Sequence, residues 1–186
     1  MAGRRSSARS RPDSSAGIAE SDAPAIPAEA ARAIVLRSLN QAPRTRKQLA
    51  DLLEKRQVSE EVSMEVLDRF VEVGLVDDRE YAENWVRSRH AVRGLSRKVL
   101  RQELRLRGVS DGNIEAALEQ IDEAGEREAA FALAERKLRT LSRYDDASQR
   151  RRLLGMLMRR GYDSSVAYAV VAEVMRSEAT HEQSWA

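Results

Sequence analysis

The sequence predicts an all-α protein made of three tandem three-helix repeats stacked in series. Three observations carry that prediction. Between the two ends of the chain, apolar residues recur at spacings of three and four, the signature of one buried helix face. No stretch sustains the two-residue alternation with β-branched enrichment that a strand requires. A turn signature also returns along the chain: Arg56-Gln57-Val58-Ser59, Arg107-Gly108-Val109-Ser110 and Arg160-Gly161-Tyr162-Asp163 lie 51 and then 53 residues apart.

Taken in order, residues 1–27 are rich in Ser, Ala, Arg and Pro, and after Met1 only Ile18 and Ile26 are large aliphatics. Such a segment buries too little apolar surface to offset its ordering entropy, so a disordered tail is expected, with Arg4, Arg5, Arg9 and Arg11 solvated. The first repeat, 28–76, carries Leu49, Leu52 and Leu53, then Val62, Val66, Leu67 and Phe70. The second, 77–123, carries Leu100 and Leu104, then Ile114, Leu118 and Ile121. The third, 124–176, continues the register: Leu49, Leu100 and Leu153 align, as do Leu53, Leu104 and Leu157, and then Phe70, Ile121 and Val174. Frequent punctuation limits the helices to about a dozen residues each, roughly nine in all. A short tail, 177–186, ends in Trp185, read as a frayed end. Repeats of this length bury their faces against their neighbours.

The turn positions have local readings. Gly108 and Gly161 suit the left-handed residue that closes a helix, where a Cβ is disfavoured. Gln57 suits it less well, so the first turn is expected to be looser. Ser59, Ser110 and Asp163 are helix N-cap types, and Val58, Val109 and Tyr162 are expected in the core beside each turn.

Composition narrows the function. The 186 residues include 32 Lys+Arg, 30 Asp+Glu, two His and no Cys, with 4% aromatics. Disulfides, thiolate metal sites and a cysteine nucleophile are thereby excluded, and no histidine-based metal site or triad is expected. No window reaches the roughly 18 apolar residues of a membrane span, and Met1 to Ser10 lacks the apolar core of a secretory signal. The expected location is cytoplasmic. Phosphate-loop, dinucleotide, zinc-protease and nucleophile-elbow motifs do not occur. Asp77-Asp78 and Asp145-Asp146 sit where helices begin and read as caps rather than an acid/base pair, and His90 reads as an exposed polar residue. No catalytic residue, metal ligand or cofactor is assigned, and the chain is not expected to be an enzyme.

Near-neutrality conceals charge segregation. Residues 87–107 hold eight Lys/Arg against Glu103, and 136–160 hold nine against Asp145 and Asp146. Residues 60–83 hold nine carboxylates, and 111–128 hold seven. Pairing between neighbouring helices is one explanation. The repeat offsets, however, bring Arg46-Lys47, Arg97-Lys98 and Arg150-Arg151 to one equivalent position, read as the first turn of each second helix, where the helix dipole disfavours cations. Arg97, Arg101 and Arg105 then form a one-sided stripe. These eight residues are the candidate surface for an acidic partner or phosphates. Base stacking on single strands requires exposed aromatics, which are scarce here.

Gly74-Leu-Val-Asp-Asp78-Arg-Glu-Tyr81-Ala82, Arg87-Ser88-Arg89 and Gly94 resemble the RecX family of bacterial recombination regulators. The likeness continues in Leu100-Arg-Gln-Glu-Leu104-Arg-Leu-Arg107-Gly108-Val109-Ser110 with Ile114-Glu-Ala-Ala-Leu118, and in Leu154-Gly-Met-Leu-Met-Arg-Arg160-Gly161-Tyr162. It spans Ala31 to Met175. The resemblance implies an elongated, curved solenoid of three three-helix repeats and a non-enzymatic modulator of the RecA recombinase in DNA recombination, repair and the SOS response. Such a modulator lies in the groove of the RecA filament on single-stranded DNA and hinders ATPase, strand exchange and co-protease activity. The implied partners are that filament and weak single- or double-stranded DNA, with no membrane or small-molecule substrate, the chain acting as a monomer. The alternative is a free-standing, sequence-independent nucleic-acid-binding repeat protein that competes for single-stranded DNA.

Overall fold

Each turn signature closes a helix in the same way. The Gln57 amide donates to Glu54 O and the Val58 amide to Leu53 O at 2.8 and 3.1 Å. The matching bonds run from Gly108 to Arg105 and Val109 to Leu104, and from Gly161 to Met158 and Tyr162 to Leu157. This is the Schellman pattern, with a left-handed residue after the cap and an apolar residue folded back on the helix. Gln57, Gly108 and Gly161 have φ of 62°, 77° and 86°. The first turn is therefore not looser, despite its non-glycine residue.

The computed structural model describes residues 26–183, with side chains described through 178. Within them lie nine α-helices and no strand: α1 (Ala28–Leu39), α2 (Arg46–Lys55), α3 (Glu60–Glu72), α4 (Asp78–Arg93), α5 (Arg97–Leu106), α6 (Asp111–Leu118), α7 (Glu123–Leu138), α8 (Asp146–Arg159) and α9 (Ser164–Gln183). Helix α7 begins at Glu123, and α9 continues through the described part of 177–186. The proposed N-terminal tail through residue 25, and Trp185, lie outside the described residues.

Local chemistry starts most helices. Thr45 and Gln48 form a reciprocal capping box on α2, and Ser59, Ser96 and Ser110 accept from the third amide of α3, α5 and α6. Asp77, Asp122 and Asp145 cap α4, α7 and α8. Asp145 starts α8 earlier in the repeat than Thr45 and Ser96 start α2 and α5. Arg150-Arg151 therefore occupy the second turn of α8, not the first turn that the repeat offsets suggested.

The helices pack three by three. One cluster joins Ala31, Val35, Leu49, Leu53, Val66, Leu67 and Phe70; a second joins Ala82, Val86, Leu100, Leu104, Ile114, Leu118 and Ile121. The third joins Ala130, Ala134, Leu153, Leu157, Tyr162, Val170 and Val174. All nine aligned apolar residues fall in these cores. Each core is separate, so the array depends on its two junctions.

Those junctions explain where glycine is required. A Cβ on Gly108 would lie 2.2 Å from Lys47 Cδ, and one on Gly161 would lie 2.4 Å from Val99 Cγ2 and 2.5 Å from Ser96 Oγ. Each glycine lies against the first turn of the preceding repeat's second helix. Gln57, in the first repeat, is exposed. A side chain is tolerated there at a left-handed cost of about 1–2 kcal/mol. Gln57→Gly should therefore raise stability by up to about 1 kcal/mol. Gly161→Ala should lower it by more than that, through clash and strain together. Urea unfolding of both variants measures the contrast, and equal effects would contradict this account of the junction.

Candidate interaction surface

The two junctions are built alike. At the first, Thr45 is fully buried; its hydroxyl accepts from the Gln48 amide and donates to Arg107 O at 2.6 Å. The Arg46 amide donates to Asp78 Oδ1 at 2.8 Å. At the second, buried Ser96 donates its amide to Arg160 O at 3.1 Å, and the Arg97 amide donates to Glu126 Oε1 at 2.8 Å. In each case the positive end of one helix dipole meets the carbonyl end of a helix in the next repeat, and a carboxylate from that repeat takes the first amide.

This arrangement accounts for the cations in those first turns. The carboxylates that complement the dipole come from the next repeat, so Arg46-Lys47 and Arg97-Lys98 sit in the first turn without leaving the helix end uncompensated. Asp77 caps its own helix while Asp78 caps a neighbour's, a division of labour that sequence alone does not show. Burial pushes the Asp78 carboxyl above the ordinary carboxylate range, against the lowering effect of the Arg46 amide.

The eight candidate cations separate into committed and uncommitted groups. Arg101 makes two bonds to Glu115, at 2.7 and 2.9 Å, and Arg105 bonds Asp111 at 2.8 Å. The Arg101 hydrogen bond holds the Glu115 carboxyl below its ordinary range. The stripe on α5 is thus largely met by α6 of its own repeat, the pairing that the sequence left open. Arg46 bonds Asp68, and Lys47 lies 2.8 Å from Asp51. Lys98 lies 3.8 Å from Asp163. The guanidiniums of Arg97, Arg150 and Arg151 have no carboxylate within ion-pair distance among the described residues, and Arg150 and Arg151 are exposed. Beside them Arg143 and Arg152 lie over the Tyr144 ring, at 5.1 and 4.2 Å. Of the eight candidates, the uncommitted guanidiniums are thus Arg97 at the start of α5 and Arg150 and Arg151 on α8, while Arg101 and Arg105 are met within their own repeat.

Three further contacts did not follow from the sequence. Trp85 carries Arg89 and Arg107 over its ring at 4.1 and 3.7 Å, and its indole N–H donates to Glu103 at 2.8 Å. His90 is half-buried, with Nδ1 3.0 Å from Leu95 O, not an exposed polar residue. The Tyr162 hydroxyl donates to Gly94 O at 3.1 Å across the second junction, and burial pushes its pKa up to about 12. Recurrence of a hydroxyl before each cationic pair, Thr45 and Ser96, was the available signal for the junctions.

Serial three-helix units joined through helix ends, with segregated charge on the outer faces, define a tandem helical-repeat protein. The chain belongs to the RecX family. The models for the first, second and third RecX three-helix domains match residues 31–70, 77–118 and 125–171. Proteins named regulatory protein RecX from Streptomyces lividans and Thermobifida fusca are 47% and 49% identical to it. The alignments cover 89% and 80% of this chain, and 88% and 80% of theirs. A crystal structure of RecX from Lactobacillus salivarius is 22% identical. It has a TM-score of 0.69, covering 79% of this chain and 96% of that one, and shares the fold. Relatives carrying that name support a regulatory role. No helix among the described residues is long and apolar enough to cross a membrane.

Because the Asp78 carboxyl titrates above its ordinary value, its contribution is complete below that value and erodes as pH rises through the raised pKa. Asp78→Asn keeps an acceptor for the Arg46 amide without a buried charge. It should match or exceed wild-type stability near neutral pH and converge with it in acid; thermal unfolding across pH checks this. A variant less stable than wild type only near neutral pH would reverse the sign. Tyr162→Phe should leave a wild-type chain more stable below pH 10.0, with the difference vanishing as pH rises through about 12.

Proposed function

We propose that the chain regulates a RecA-type recombinase by lying along its filament on single-stranded DNA and hindering the protomer rearrangements that accompany ATP hydrolysis and strand exchange, with no chemistry of its own. Co-protease activity of the filament falls by the same obstruction. Family membership supports the partner. The observation that carries the mode of contact is the uncommitted charge on α8. Arg150 and Arg151 are exposed and free of carboxylates, whereas Arg101 and Arg105 are met by Glu115 and Asp111. A cation already hydrogen-bonded to a carboxylate gains little from a phosphate, because one charged partner is exchanged for another. A free arginine gains a charge-assisted, often bidentate bond.

Three repeats then supply several weak contacts at fixed spacing, and their joint effect exceeds any one of them through effective concentration. The third repeat provides most of the charge in this reading. Arg97 and Lys98 add to it at the second junction, while Arg46 and Lys47 are largely retained within the fold.

Arg150→Gln/Arg151→Gln should weaken inhibition of RecA ATPase on single-stranded DNA by about tenfold, and should lower the salt dependence of binding by about 1.4 for two lost phosphate contacts. Arg101→Gln/Arg105→Gln, in equally folded protein, should change inhibition by less than about threefold. Equal losses in both variants would return the contact to α5. The competing reading, competition for free single strands, gains support from the same exposed arginines. It requires inhibition to track DNA coverage as protein is titrated, and filament binding requires inhibition at far lower coverage.

A further inference from the structure

The two junctions share a plan but not a filling. The offset that carries Ala82 onto Ala130 and Asp78 onto Glu126 carries Trp85 onto Leu133. At the second junction Leu133 is buried and packs over Gly94, while Tyr162 bonds the Gly94 carbonyl. At the first junction the equivalent residues are Trp85, half-buried, and Val109, which has no hydroxyl to give. A cleft of about 640 Å³ remains between the α1–α2 loop and α4. Leu39, Pro43 and Arg44 form one wall, and Tyr81, Trp85 and Arg89 the other. Leu36 and Leu75, 44% and 55% exposed, stand at its rim.

A second observation says what the cleft lacks. Arg44 Nε is buried without a hydrogen-bond acceptor, alone among the buried side-chain nitrogens and oxygens of the described residues. An unsatisfied buried donor costs about 1–3 kcal/mol, more when it is charged. Neither Arg44 nor Arg89 has a carboxylate within ion-pair distance among the described residues. Two carboxylates also line the cleft: Asp77 is taken up by the Arg79 and Glu80 amides, and Glu80 stands exposed on the α4 wall.

We propose that this cleft binds an acidic peptide segment of a partner protein. A carboxylate of the segment accepts from Arg44, and an adjacent large apolar side chain packs among Leu39, Pro43 and Trp85. The volume suits a few residues of extended chain rather than one side chain. A nucleobase is a poorer fit: the two guanidiniums over the Trp85 ring take up the π surface that stacking would use. The site lies on the first two repeats, apart from the cations of α8, so it neither requires nor supplies the phosphate contacts proposed above.

The test uses the full chain and an array of terminally blocked decapeptides. Each peptide carries one Leu, Phe or Trp flanked by zero to four Asp or Glu, with Lys-flanked peptides of the same length as controls. Binding should rise with carboxylate number, require the apolar residue and exceed the Lys controls at least tenfold. Arg44→Gln should reduce it about tenfold. Leu75→Glu, at the exposed rim and clear of every core, should reduce it by repulsion in protein of unchanged helicity. Binding of a single-stranded 15-nucleotide oligomer should be unchanged in both variants. Peptides bound no better than the Lys controls, or equally by Leu75→Glu protein, would overturn the proposal. So would loss of oligonucleotide binding in parallel with peptide binding, which would make the cleft a nucleic-acid site.

Discussion

The array depends on a single contact made twice: the first turn of one repeat's second helix set against the left-handed turn of the next. Each three-helix unit has its own core, so nothing but the junctions determines how the units sit in series. At each junction a Ser or Thr, one carboxylate and a glycine without a Cβ meet within a few ångströms. The chemistry is that of helix ends, whose unpaired amides and carbonyls must be satisfied somewhere. Here they are satisfied by one another and by Asp78 and Glu126, which makes the requirement for caps into a rule for stacking. Isolated surface ion pairs contribute little; these bonds differ in being partly buried and repeated at both junctions.

Much of this was legible in the chain. The register of Leu49, Leu100 and Leu153, and of their partners, follows from helical periodicity, and all are buried. The turn residues followed from backbone preference. What was not legible arose from neighbours distant in sequence. Gln57 can hold a left-handed position with a side chain because it is exposed, a fact of packing that its own turn signature does not carry. Asp145 starts α8 early, and alignment by offset cannot show which of several polar residues wins the N-cap. The stripe of Arg97, Arg101 and Arg105 has the pattern of a binding face, yet Glu115 and Asp111 lie across from two of its members. Charge pattern along one helix cannot reveal what faces it from another.

That last point changes how the near-neutral balance of 32 basic and 30 acidic residues is understood. In the middle repeat the two signs meet and largely cancel. In the third they do not, because α8 carries Arg150 and Arg151 beyond the reach of any described carboxylate. A protein with this arrangement presents its positive charge at one end of an otherwise balanced array. Under the proposed function that end contacts a phosphate backbone, and the balanced remainder limits indiscriminate attraction to nucleic acid. The unequal junctions extend the same asymmetry. The second is filled by Leu133 and closed by Tyr162, and the first is left open beside Trp85.

The central claim is action on an assembled filament rather than on free DNA. RecA ATPase on a long single strand, titrated with the full chain at fixed DNA, tests it most directly. The account predicts half-maximal inhibition at a chain concentration far below that needed to coat the strand, with the midpoint following filament concentration. Inhibition that appears only as the strand becomes covered, and that disappears with salt in step with DNA binding, would contradict it.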